Sequence, residues 1–404
     1  MLQESAATPP ADSGVWRFDD FVLDTRNYEL RSGETVIRVE PQVFDVMAQL
    51  IANHERVVTK EELFDSVWGG KFVGEAALTS RIKAARRALG DDGESQRYIR
   101  TVRGRGYRFV GTMATAPAEP VIAASPPQHI SFCRAGDGVR LAYATAGTGP
   151  PLVRAANWMT HLAYDIESPV WRHWVSDLSQ DHTFIRYDER GCGLSDWEVG
   201  EFTFENWVAD LETVVDALGL QRFPLLGVSQ GGAVAIEYAA RHPDRVSHLV
   251  LCSAYARGRG VRAVGADEQR AAALDLELAR VGWGRDDPAF RQVFAAQFLP
   301  DGSRSDWAAF DQLQRRTTSP ENAVRFLTQF AAIDVRQAAE RVSCPTLILH
   351  SRDDHRVPMR FGEELSELIG GSQLIALASN NHLLTATEPA WRVFCDEVKR
   401  FLAS

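Results

Sequence analysis

Ser229 lies in a sequence context that would make its hydroxyl a nucleophile. Residues 227–231 have the form G-x-S-x-G, directly after the apolar, strand-like run FPLLGVS and directly before the small-residue helical run QGGAVAIEYAA. Glycines at positions 227 and 231 permit a sharp turn that lifts the serine above the end of the strand. The motif alone is weak evidence, but this strand–turn–helix context is the one that it requires. The alternative is a buried serine in an ordinary turn.

A serine nucleophile needs a general base, and the base needs a group that orients it. The chain holds ten histidines. In a chain order of serine, acid and histidine, position and context select His382, which lies in the loop SNNHLL between the strand-like run SQLIALA and the last helix. The histidines on or beside predicted elements are interpreted as structural; they are His161, His173, His242, His248 and His350.

The acid is selected by a resemblance to the α/β-hydrolase family. The run TLILHSRDDHRVP is a strand followed by a turn, and its form resembles the family segment G-x-x-D-x-x-V-P. Matching the end of that segment to Val357 and Pro358 selects Asp354, four residues before the proline. Asp353 is the rival, and since two adjacent carboxylates repel each other, we expect one of them to point to solvent.

A second segment strengthens this resemblance. DERGCGLSD at 188–196 resembles the D-x-x-G-x-G-x-S turn of α/β-hydrolases, whose implied role is to shape the loop near the oxyanion region. The resemblance covers about 130–402 and implies a catalytic triad of Ser229, Asp354 and His382. It specifies a fold and not a substrate, because this fold hosts esterases, C–C bond hydrolases, peroxidases and non-catalytic receptors.

The oxyanion hole needs backbone N–H groups aimed at the negative charge that develops in the reaction. Gln230, the residue after the nucleophile, would supply one group, and the loop after PLVRAA would supply the other. Many relatives have His-Gly in that loop, whereas this chain has Ala156 and Asn157 followed by Trp158. Backbone donors do not depend on those side chains, so we expect the hole to use the N–H groups of Gln230 and Trp158.

Strand-like and helical runs alternate through the part of the chain that holds these residues. Such alternation predicts an α/β fold, a mostly parallel sheet with helices on both faces. Residues 256–340 interrupt it with helical patterns and no convincing strand, so we interpret them as a helical cap. Aromatic residues in the cap and in 157–171 indicate an apolar, ring-friendly pocket. The alternative is that most of these aromatic residues are simple core.

A different order of elements comes earlier in the chain. Short strand-like runs lead into three helical patterns and a hairpin, and the third helix, at 75–89, places Leu78, Ile82, Ala85 and Leu89 on one buried stripe. Residues 81–108 hold nine basic against three acidic side chains, although the whole chain has a net charge of −10. A basic helix face is often only a solvated surface, but it also fits the major groove of DNA.

This order of elements resembles the winged-helix domain of OmpR/PhoB-type response regulators over about 16–111, most specifically at YIRTVRGRGYRF. The resemblance implies that 75–89 is the recognition helix and 102–108 the wing. Response regulators carry a receiver domain before this module, but here residues 1–13 alone precede it, so we expect the signal to arrive through 130–404. The implied DNA contacts are Thr79, Arg81, Lys83, Arg86 and Arg87 on the helix and Arg103 and Arg105 on the wing, with Tyr107 packed beneath it.

The two resemblances divide the chain into domains. We expect a disordered leader at 1–13, an α+β winged helix-turn-helix domain at 14–112, an Ala/Pro-rich linker at 113–129 and a capped α/β-hydrolase domain at 130–404. No apolar run is long enough to predict a transmembrane helix. Five scattered cysteines without a CxxC pair fit a reducing cytoplasm. No metal and no cofactor is expected.

Both modules in one chain predict a one-component transcriptional regulator. A winged helix would bind double-stranded DNA, and a serine-hydrolase-type pocket would either sense or both sense and hydrolyse a small organic effector of apolar or aromatic character. The alternative is an active serine hydrolase, an esterase or a C–C bond hydrolase, with incidental DNA binding. We further expect a homodimer, because paired half-sites multiply affinity, no membrane partner, and a place in the bacterial cytoplasm, at the nucleoid through DNA binding.

Overall fold

The computed structural model describes residues 15–25, 28–33, 35–68, 74–113, 127–157, 159–283, 285 and 288–403, with the backbone alone at 288–292 and 304. Contacts divide the chain into two compact units, one within Met1–Val121 and the other within Ile122–Ser404. The predicted leader at 1–13 and most of the predicted linker at 113–129 lie outside the described residues. None of the helices in the described ranges is both long and apolar enough to cross a membrane.

The first unit combines two small antiparallel sheets with three helices. Strands β1 to β4 pair in sequence order as one sheet, and the other sheet has the order β5-β7-β6. The elements are β1 (Val15–Phe18), β2 (Phe21–Asp24), β3 (Glu29–Ser32), β4 (Thr35–Ile37), α1 (Pro41–Ala52), β5 (Val58–Thr59), α2 (Lys60–Trp68), α3 (Glu75–Ala88), β6 (Ile99–Val102) and β7 (Gly106–Phe109).

Local sequence signals explain where these helices begin and which face they bury. Pro41 opens α1, where its missing N–H costs no helical hydrogen bond. A capping box opens α2, because Thr59 Oγ1 accepts from the Glu62 amide at 3.1 Å and Glu62 Oε2 accepts from the Thr59 amide at 2.8 Å. The predicted stripe of α3 is confirmed, since all four of its residues are buried: Leu78, Ile82, Ala85 and Leu89.

The second unit is built on a sheet of eight strands in the described part of the chain. Its order is β15-β14-β13-β12-β10-β11-β9-β8, with antiparallel pairing only at the β11-β9 and β9-β8 junctions. The mostly parallel sheet that the alternation predicts is therefore confirmed. The strands are β8 (Gln128–Arg134), β9 (Arg140–Ala146), β10 (Pro151–Ala155), β11 (Thr183–Tyr187), β12 (Phe223–Val228), β13 (Val246–Cys252), β14 (Thr346–Ser351) and β15 (Gln373–Leu377).

Helices cover this sheet, and a group of them forms the predicted cap between β13 and β14. Outside the cap lie α4 (Leu162–Asp165), α5 (Arg172–Leu178), α6 (Phe204–Ala217), α7 (Gln230–Arg241), α14 (Arg360–Leu368) and α15 (Pro389–Leu402). The cap contains α8 (Arg259–Arg262), α9 (Gly265–Gly282), α10 (Pro288–Phe298), α11 (Arg304–Thr317), α12 (Pro320–Ala332) and α13 (Arg336–Ala339). Parallel strands bring their carboxyl ends to one edge of the sheet, which is where ligands bind in such folds.

Four elements of the second unit outside the cap are absent from the sequence predictions: β8, α4, α5 and α14. Strand β8 begins at Gln128, within the predicted linker, and α14 follows β14. In β8 the alternation is limited to Ile130 and Phe132, directly after the Pro-rich run, so the signal for a strand is short. None of its residues is fully buried. Helix α14 is short and buries only Phe361, Gly362 and Leu365, which is too narrow a stripe to stand out.

Asp91 fixes the hairpin of β6 and β7 to the end of α3. Its Oδ2 accepts hydrogen bonds from the amides of Tyr98 and Ile99 at 2.9 and 3.1 Å, and its Oδ1 accepts one from the Arg97 amide at 2.8 Å. Burial raises the pKa of this carboxyl, but these amides outweigh burial and hold the pKa below its ordinary value. The hairpin therefore depends on an ionised Asp91.

We expect Asp91→Asn to loosen the hairpin, because an amide group would face backbone donors that now find a carboxylate oxygen. The free energy needed to open the hairpin should fall by about 1.5–3 kcal/mol, the contribution of hydrogen bonds to a charged group. Hydrogen exchange of peptides from 98–109 in the full chain should accelerate by roughly ten- to a hundredfold at pH 7. Asp65→Asn, a change at an exposed residue of α2, is the matched control. Equal exchange in both variants would contradict the role of Asp91.

Candidate active site and nucleic-acid interface

Ser229 occupies the turn between β12 and α7 with a backbone that non-glycine residues rarely adopt. Its φ is 51° and its ψ is −124°, a strained conformation of the kind that clusters at functional sites. The predicted reason for the flanking glycines needs a correction, because neither Gly227 nor Gly231 has a positive φ. Close packing requires them instead: a Cβ on Gly231 would lie 2.7 Å from the carbonyl oxygen of Ala156.

The structure brings Ser229, His382 and Asp354 into one hydrogen-bonded line. His382 Nε2 lies 2.8 Å from Ser229 Oγ, and His382 Nδ1 lies 2.7 Å from Asp354 Oδ2. The arrangement fits an imidazole that donates from Nδ1 to the carboxylate and accepts from the serine hydroxyl at Nε2. These three side chains come from the carboxyl ends of β12, β14 and β15, as the strand order requires.

Burial separates Asp354 from its rival Asp353. Asp354 is buried and its Oδ1 accepts from the amides of Arg356 and Val357 at 2.8 and 2.9 Å, whereas Asp353 is exposed. Burial raises the pKa of Asp354, but the charge and hydrogen bond of His382 and the Val357 amide hold the pKa below its ordinary value. The carboxylate therefore stays ionised at neutral pH and faces the imidazole.

A residue of the cap that the sequence patterns do not single out holds the histidine loop. The carbonyl of Phe298, at the end of α10, accepts hydrogen bonds from the amides of His382 and Leu383 at 2.9 and 3.3 Å. The ring of Phe298 also packs edge-on against the imidazole, with centroids 5.5 Å apart. The position of His382 therefore depends on the cap as well as on the sheet.

Two other histidines, His173 and His350, lie within hydrogen-bond distance of backbone carbonyl groups and, within the described part of the chain, not of a nucleophile. The buried rings of His173 and His350 lie with Nε2 at 2.9 Å from the carbonyl of Leu384 and at 2.7 Å from the carbonyl of Val357. Burial lowers the pKa of both rings, that of His173 to about 4. Neutral imidazoles that donate to carbonyl groups are what a structural role requires.

The segment that starts at Asp188 anchors the loop after β10. Asp188 accepts hydrogen bonds from Thr160 Oγ1 at 2.8 Å and from the amides of Leu162 and Leu194 at 3.1 and 2.9 Å. Its expected role in shaping this loop agrees with these contacts. Trp158, the second residue expected in the oxyanion hole, lies outside the described residues.

Gln230 begins α7, so its backbone N–H belongs to the helix end whose amides have no partner within the helix. Its buried side chain donates from Nε2 to Glu189 Oε1 at 2.9 Å. Glu189 is fully buried, and burial raises the pKa of its carboxyl to about 8. Sequence reasoning missed this residue, although it lies inside the DERGCGLSD segment.

A cavity of about 550 Å³, part of it open to solvent, lies in front of Ser229 and Gln230. Its apolar wall includes Leu276, Leu327 and Phe330 from cap helices. Of the aromatic residues predicted at 157–171, Trp158 lies outside the described residues, whereas Trp171 packs in the core against Trp174, with ring centroids 5.7 Å apart. The rest of the wall is polar, because three arginines and one aspartate also line the cavity: Arg259, Arg262, Arg356 and Asp275.

The residues predicted on the recognition helix divide into two groups. Arg86 donates to the carbonyl of Ile99 at 2.7 Å and to Thr101 Oγ1 at 3.0 Å, so it ties α3 to the hairpin. Arg81 pairs with Glu40 at 3.0 Å. Within the described ranges, no hydrogen bond or ion pair engages Lys83 or Arg87, which are exposed; exposed Thr79 donates its hydroxyl to the Glu75 carbonyl at 2.9 Å.

The hairpin has the geometry of a wing. Gly104, at its tip, has a φ of 71°, and the neighbouring Arg103 and Arg105 are exposed. Gly106 packs so closely on the backbone of Val58 that a Cβ would overlap it. Tyr107 is buried beneath the hairpin, as expected. The glycines therefore place the turn so that two guanidinium groups project into solvent.

We expect Glu189→Gln to flatten the pH dependence of stability. In the folded chain, the Glu189 carboxyl keeps its proton up to a pKa of about 8. In the unfolded chain it releases the proton at its ordinary, lower pKa. The free energy of unfolding therefore falls as the pH rises from the ordinary pKa to the folded pKa. Glutamine does not titrate, so the variant should not show this fall in the free energy of unfolding. The change in unfolding free energy between pH 5 and pH 9 should therefore shrink by about 2–4 kcal/mol.

This change is measured by urea unfolding followed by tryptophan fluorescence. Glu201→Gln, which removes an exposed carboxylate, serves as the control and should keep the wild-type pH dependence. A Glu189→Gln profile that coincides with the wild-type profile would show that Glu189 is ionised in the fold.

Two family models match the chain. The model described as alpha/beta hydrolase fold matches residues 163–389, more than half of the chain, and the model described as transcriptional regulatory protein, C terminal, matches residues 33–109. The 2-hydroxy-6-oxo-2,4-heptadienoate hydrolase of Pseudomonas putida is 29% identical over 70% of this chain and 95% of its own length. Transcriptional regulator HilA of Salmonella typhi is 38% identical over 29% of this chain, a match that spans 20% of HilA.

Solved structures agree with the match to the alpha/beta hydrolase fold. A hydrolase from Pseudomonas aeruginosa PA01 superposes with a TM-score of 0.56 at 24% identity, over 68% of this chain and 99% of that one. The esterase RhEst1 from Rhodococcus gives a TM-score of 0.54 at 26% identity, over 68% of this chain and 98% of its own. The chain thus belongs to the α/β-hydrolase fold family, and it carries an OmpR/PhoB-type DNA-binding domain of transcriptional regulators at its amino-terminal side.

Proposed function

We propose that this chain is a one-component transcriptional regulator whose hydrolase domain binds a small organic molecule and hydrolyses it with Ser229. The observation that carries the proposal is the hydrogen-bonded line of Ser229, His382 and Asp354 in a chain that also holds a regulator's DNA-binding domain. A hydrolase alone has no use for the first domain. A sensor that only binds its ligand has no use for an assembled nucleophile and base.

The geometry supports acyl transfer. Ser229 Oγ attacks a carbonyl carbon of the ligand while His382 Nε2 takes the hydroxyl proton, and the ionised Asp354 stabilises the imidazolium at Nδ1. The backbone N–H of Gln230 and a second donor from the loop after β10, which we assign to Trp158, bind the developing oxyanion. His382 then returns the proton to the leaving group. A water molecule activated by the same histidine releases the acyl group from Ser229.

For DNA, we propose that α3 enters the major groove and that the hairpin tip contacts the neighbouring backbone or minor groove. Exposed cations without partners in the described structure are Lys83 and Arg87 on α3 and Arg103 and Arg105 on the tip. Thr79 and Arg81 lie on the same helix, while Arg86 acts by holding the helix against the hairpin. A second copy on an adjacent half-site would double these contacts, so we propose a homodimer on DNA. Its place is then the nucleoid, in the cytoplasm.

A working hydrolase with incidental DNA binding is the second candidate, and the same complete triad favours it. The two candidates differ in one respect. For a regulator, occupation of the cavity beside Ser229 must change DNA affinity, because a ligand shifts an equilibrium only through different affinities for the two states. For an incidental binder, DNA affinity is independent of what occupies the cavity.

A serine-directed fluorophosphonate should label the chain at Ser229, which peptide mass spectrometry identifies. Ser229→Ala should abolish the label and lower ester hydrolysis by at least about 10³-fold, because the triad acts as one unit. The control Ser253→Ala changes a buried serine directly after β13. It should keep both the fluorophosphonate label and the ester hydrolysis. Wild-type protein without label and without esterase activity would refute the nucleophile. DNA affinity that is equal before and after labelling would favour the incidental hydrolase.

Selection from random duplex DNA should enrich a sequence that the full chain binds. On that duplex, Arg87→Gln and Arg105→Gln should weaken binding, and each lost phosphate contact should reduce the slope of log K against log salt by about 0.9. Arg17→Gln, which removes an exposed charge from β1, is the control and should leave the slope unchanged. Failure to enrich any sequence, or equal losses in all three variants, would contradict the proposed interface.

A further inference from the structure

The cavity in front of Ser229 has a wall of like charges. Arg259 and Arg262 reach it from α8, Arg356 from the turn after β14, and Asp275 from α9. A second cavity of about 460 Å³ is lined by the same three arginines and by Arg360. The three shared guanidinium groups therefore lie where the two cavities meet, while Arg360 in the second cavity is paired with Glu268 at 3.6 Å.

One carboxylate serves two of these arginines. Asp275 Oδ2 pairs with Arg259 and, at 2.6 Å, with Arg356. Arg356 also donates to Gln297 Oε1 at 2.6 Å, and its guanidinium lies 4.9 Å from the ring centroid of Phe298. Asp275 is buried, so this bridge fixes two guanidinium groups in place but compensates for only one of their two charges.

Arg262 has no carboxylate partner anywhere in the described part of the chain. Its Nη2 donates to the carbonyl of Arg356 at 2.9 Å, and its guanidinium lies over the rings of Phe361 and Tyr255, 4.5 and 5.1 Å from their centroids. Its Nη1 is buried and meets no acceptor among the described residues. Burial lowers the pKa of this group to about 10, so it remains a cation at neutral pH.

Arg262 is partly buried, and its buried Nη1 has no acceptor among the described residues. A ligand that supplies an anionic acceptor there would offset the free-energy cost of this unmet donor. We propose that the cavity binds an organic carboxylate, whose carboxylate group pairs with Arg262 while its apolar body lies against Leu276, Leu327 and Phe330 and its reacting carbonyl reaches Ser229. The proposal rests on the proposed function in that it places the ligand in the cavity beside the nucleophile. It adds the chemical class of the effector, because an apolar ligand alone would leave the guanidinium groups unmatched.

The planar guanidinium groups and their charge favour a carboxylate over a phosphate. Guanidinium and carboxylate match as two parallel N–H···O hydrogen bonds. Aromatic rings cover two sides of the Arg262 group and the Arg356 carbonyl occupies Nη2, which leaves one edge for a planar monoanion. A tetrahedral dianion would need donors from several directions.

The test compares acids with their uncharged amides. Calorimetric titration of full-length Ser229→Ala uses phenylacetate, 4-phenylbutanoate and 6-phenylhexanoate, each paired with its amide and with a phenylalkyl phosphate of equal length. We expect at least one acid to bind about tenfold or more tightly than its amide, the range of a charge-assisted pair. Since this variant lacks the Ser229 hydroxyl, the ratio of acid affinity to amide affinity does not depend on turnover. The hydrolytic proposal is tested separately, by fluorophosphonate labelling of Ser229 in the wild type.

Variants then test whether Arg262 causes the preference for acids over amides. In the same background, Arg262→Gln should bring the acid-to-amide ratio close to one, Arg262→Lys should keep part of it, and Arg352→Gln, which removes an exposed charge next to the same turn, should leave it unchanged. Circular dichroism checks that each variant is folded. Absence of binding by every acid, equal binding of acids and amides, tighter binding of the phosphates, or a ratio that Arg262→Gln and Arg262→Lys leave unchanged would each overturn the proposal.

Discussion

The backbone conformation of Ser229 is the constraint on which the second unit depends. A left-handed non-glycine residue costs on the order of 1–3 kcal/mol and persists only where its surroundings hold it. Here the Ser229 amide donates to the carbonyl of Cys252 on β13 at 2.9 Å, and Gly231 packs against the carbonyl of Ala156. The second contact means that the nucleophile turn and the loop after β10 cannot move independently. One packing contact thus ties the turn that holds Ser229 to Ala156 in the loop after β10.

Much of the second unit could be predicted because its signals are local or depend on chain order. Ser229 carries its turn motif with it, and His382 follows from its place between a strand and the last helix. Matching the family segment selected Asp354 over its neighbour Asp353, and the burial of Asp354 agrees with that choice. Contacts between distant segments were not predictable: Glu189 meets Gln230 across 41 residues, and Arg262 meets Arg356 across 94. Arginines scattered through a helical cap look like solvated charge until the fold brings them together.

The first unit shows the same limit within a single helix. The order of elements follows from the succession of strand-like and helical patterns, and the buried stripe of α3 follows from the spacing of its apolar residues. Both were therefore predictable. The sequence also reveals a basic face, but not which guanidinium groups are free. Arg86 and Arg87 are neighbours, yet about 100° of helical rotation separates them, and this turns Arg86 towards the hairpin while Arg87 points to solvent. Charge alone therefore overestimates the number of side chains available to a polyanion.

A single turn after β14 connects the hydrogen-bonded line of Ser229, His382 and Asp354 with the arginines that line the cavity. Asp354 Oδ1 accepts from the Arg356 amide, while Oδ2 faces His382. The same carboxylate thus orients the base and shapes the backbone from which Arg356 enters the cavity. Arg356 in turn contacts Asp275, and the ring of Phe298 beneath its guanidinium also packs against His382. Any ligand that displaces the Arg356–Asp275 pair must therefore disturb residues that hold the histidine. Side chains already in contact thus connect the cavity wall with the histidine that faces Ser229.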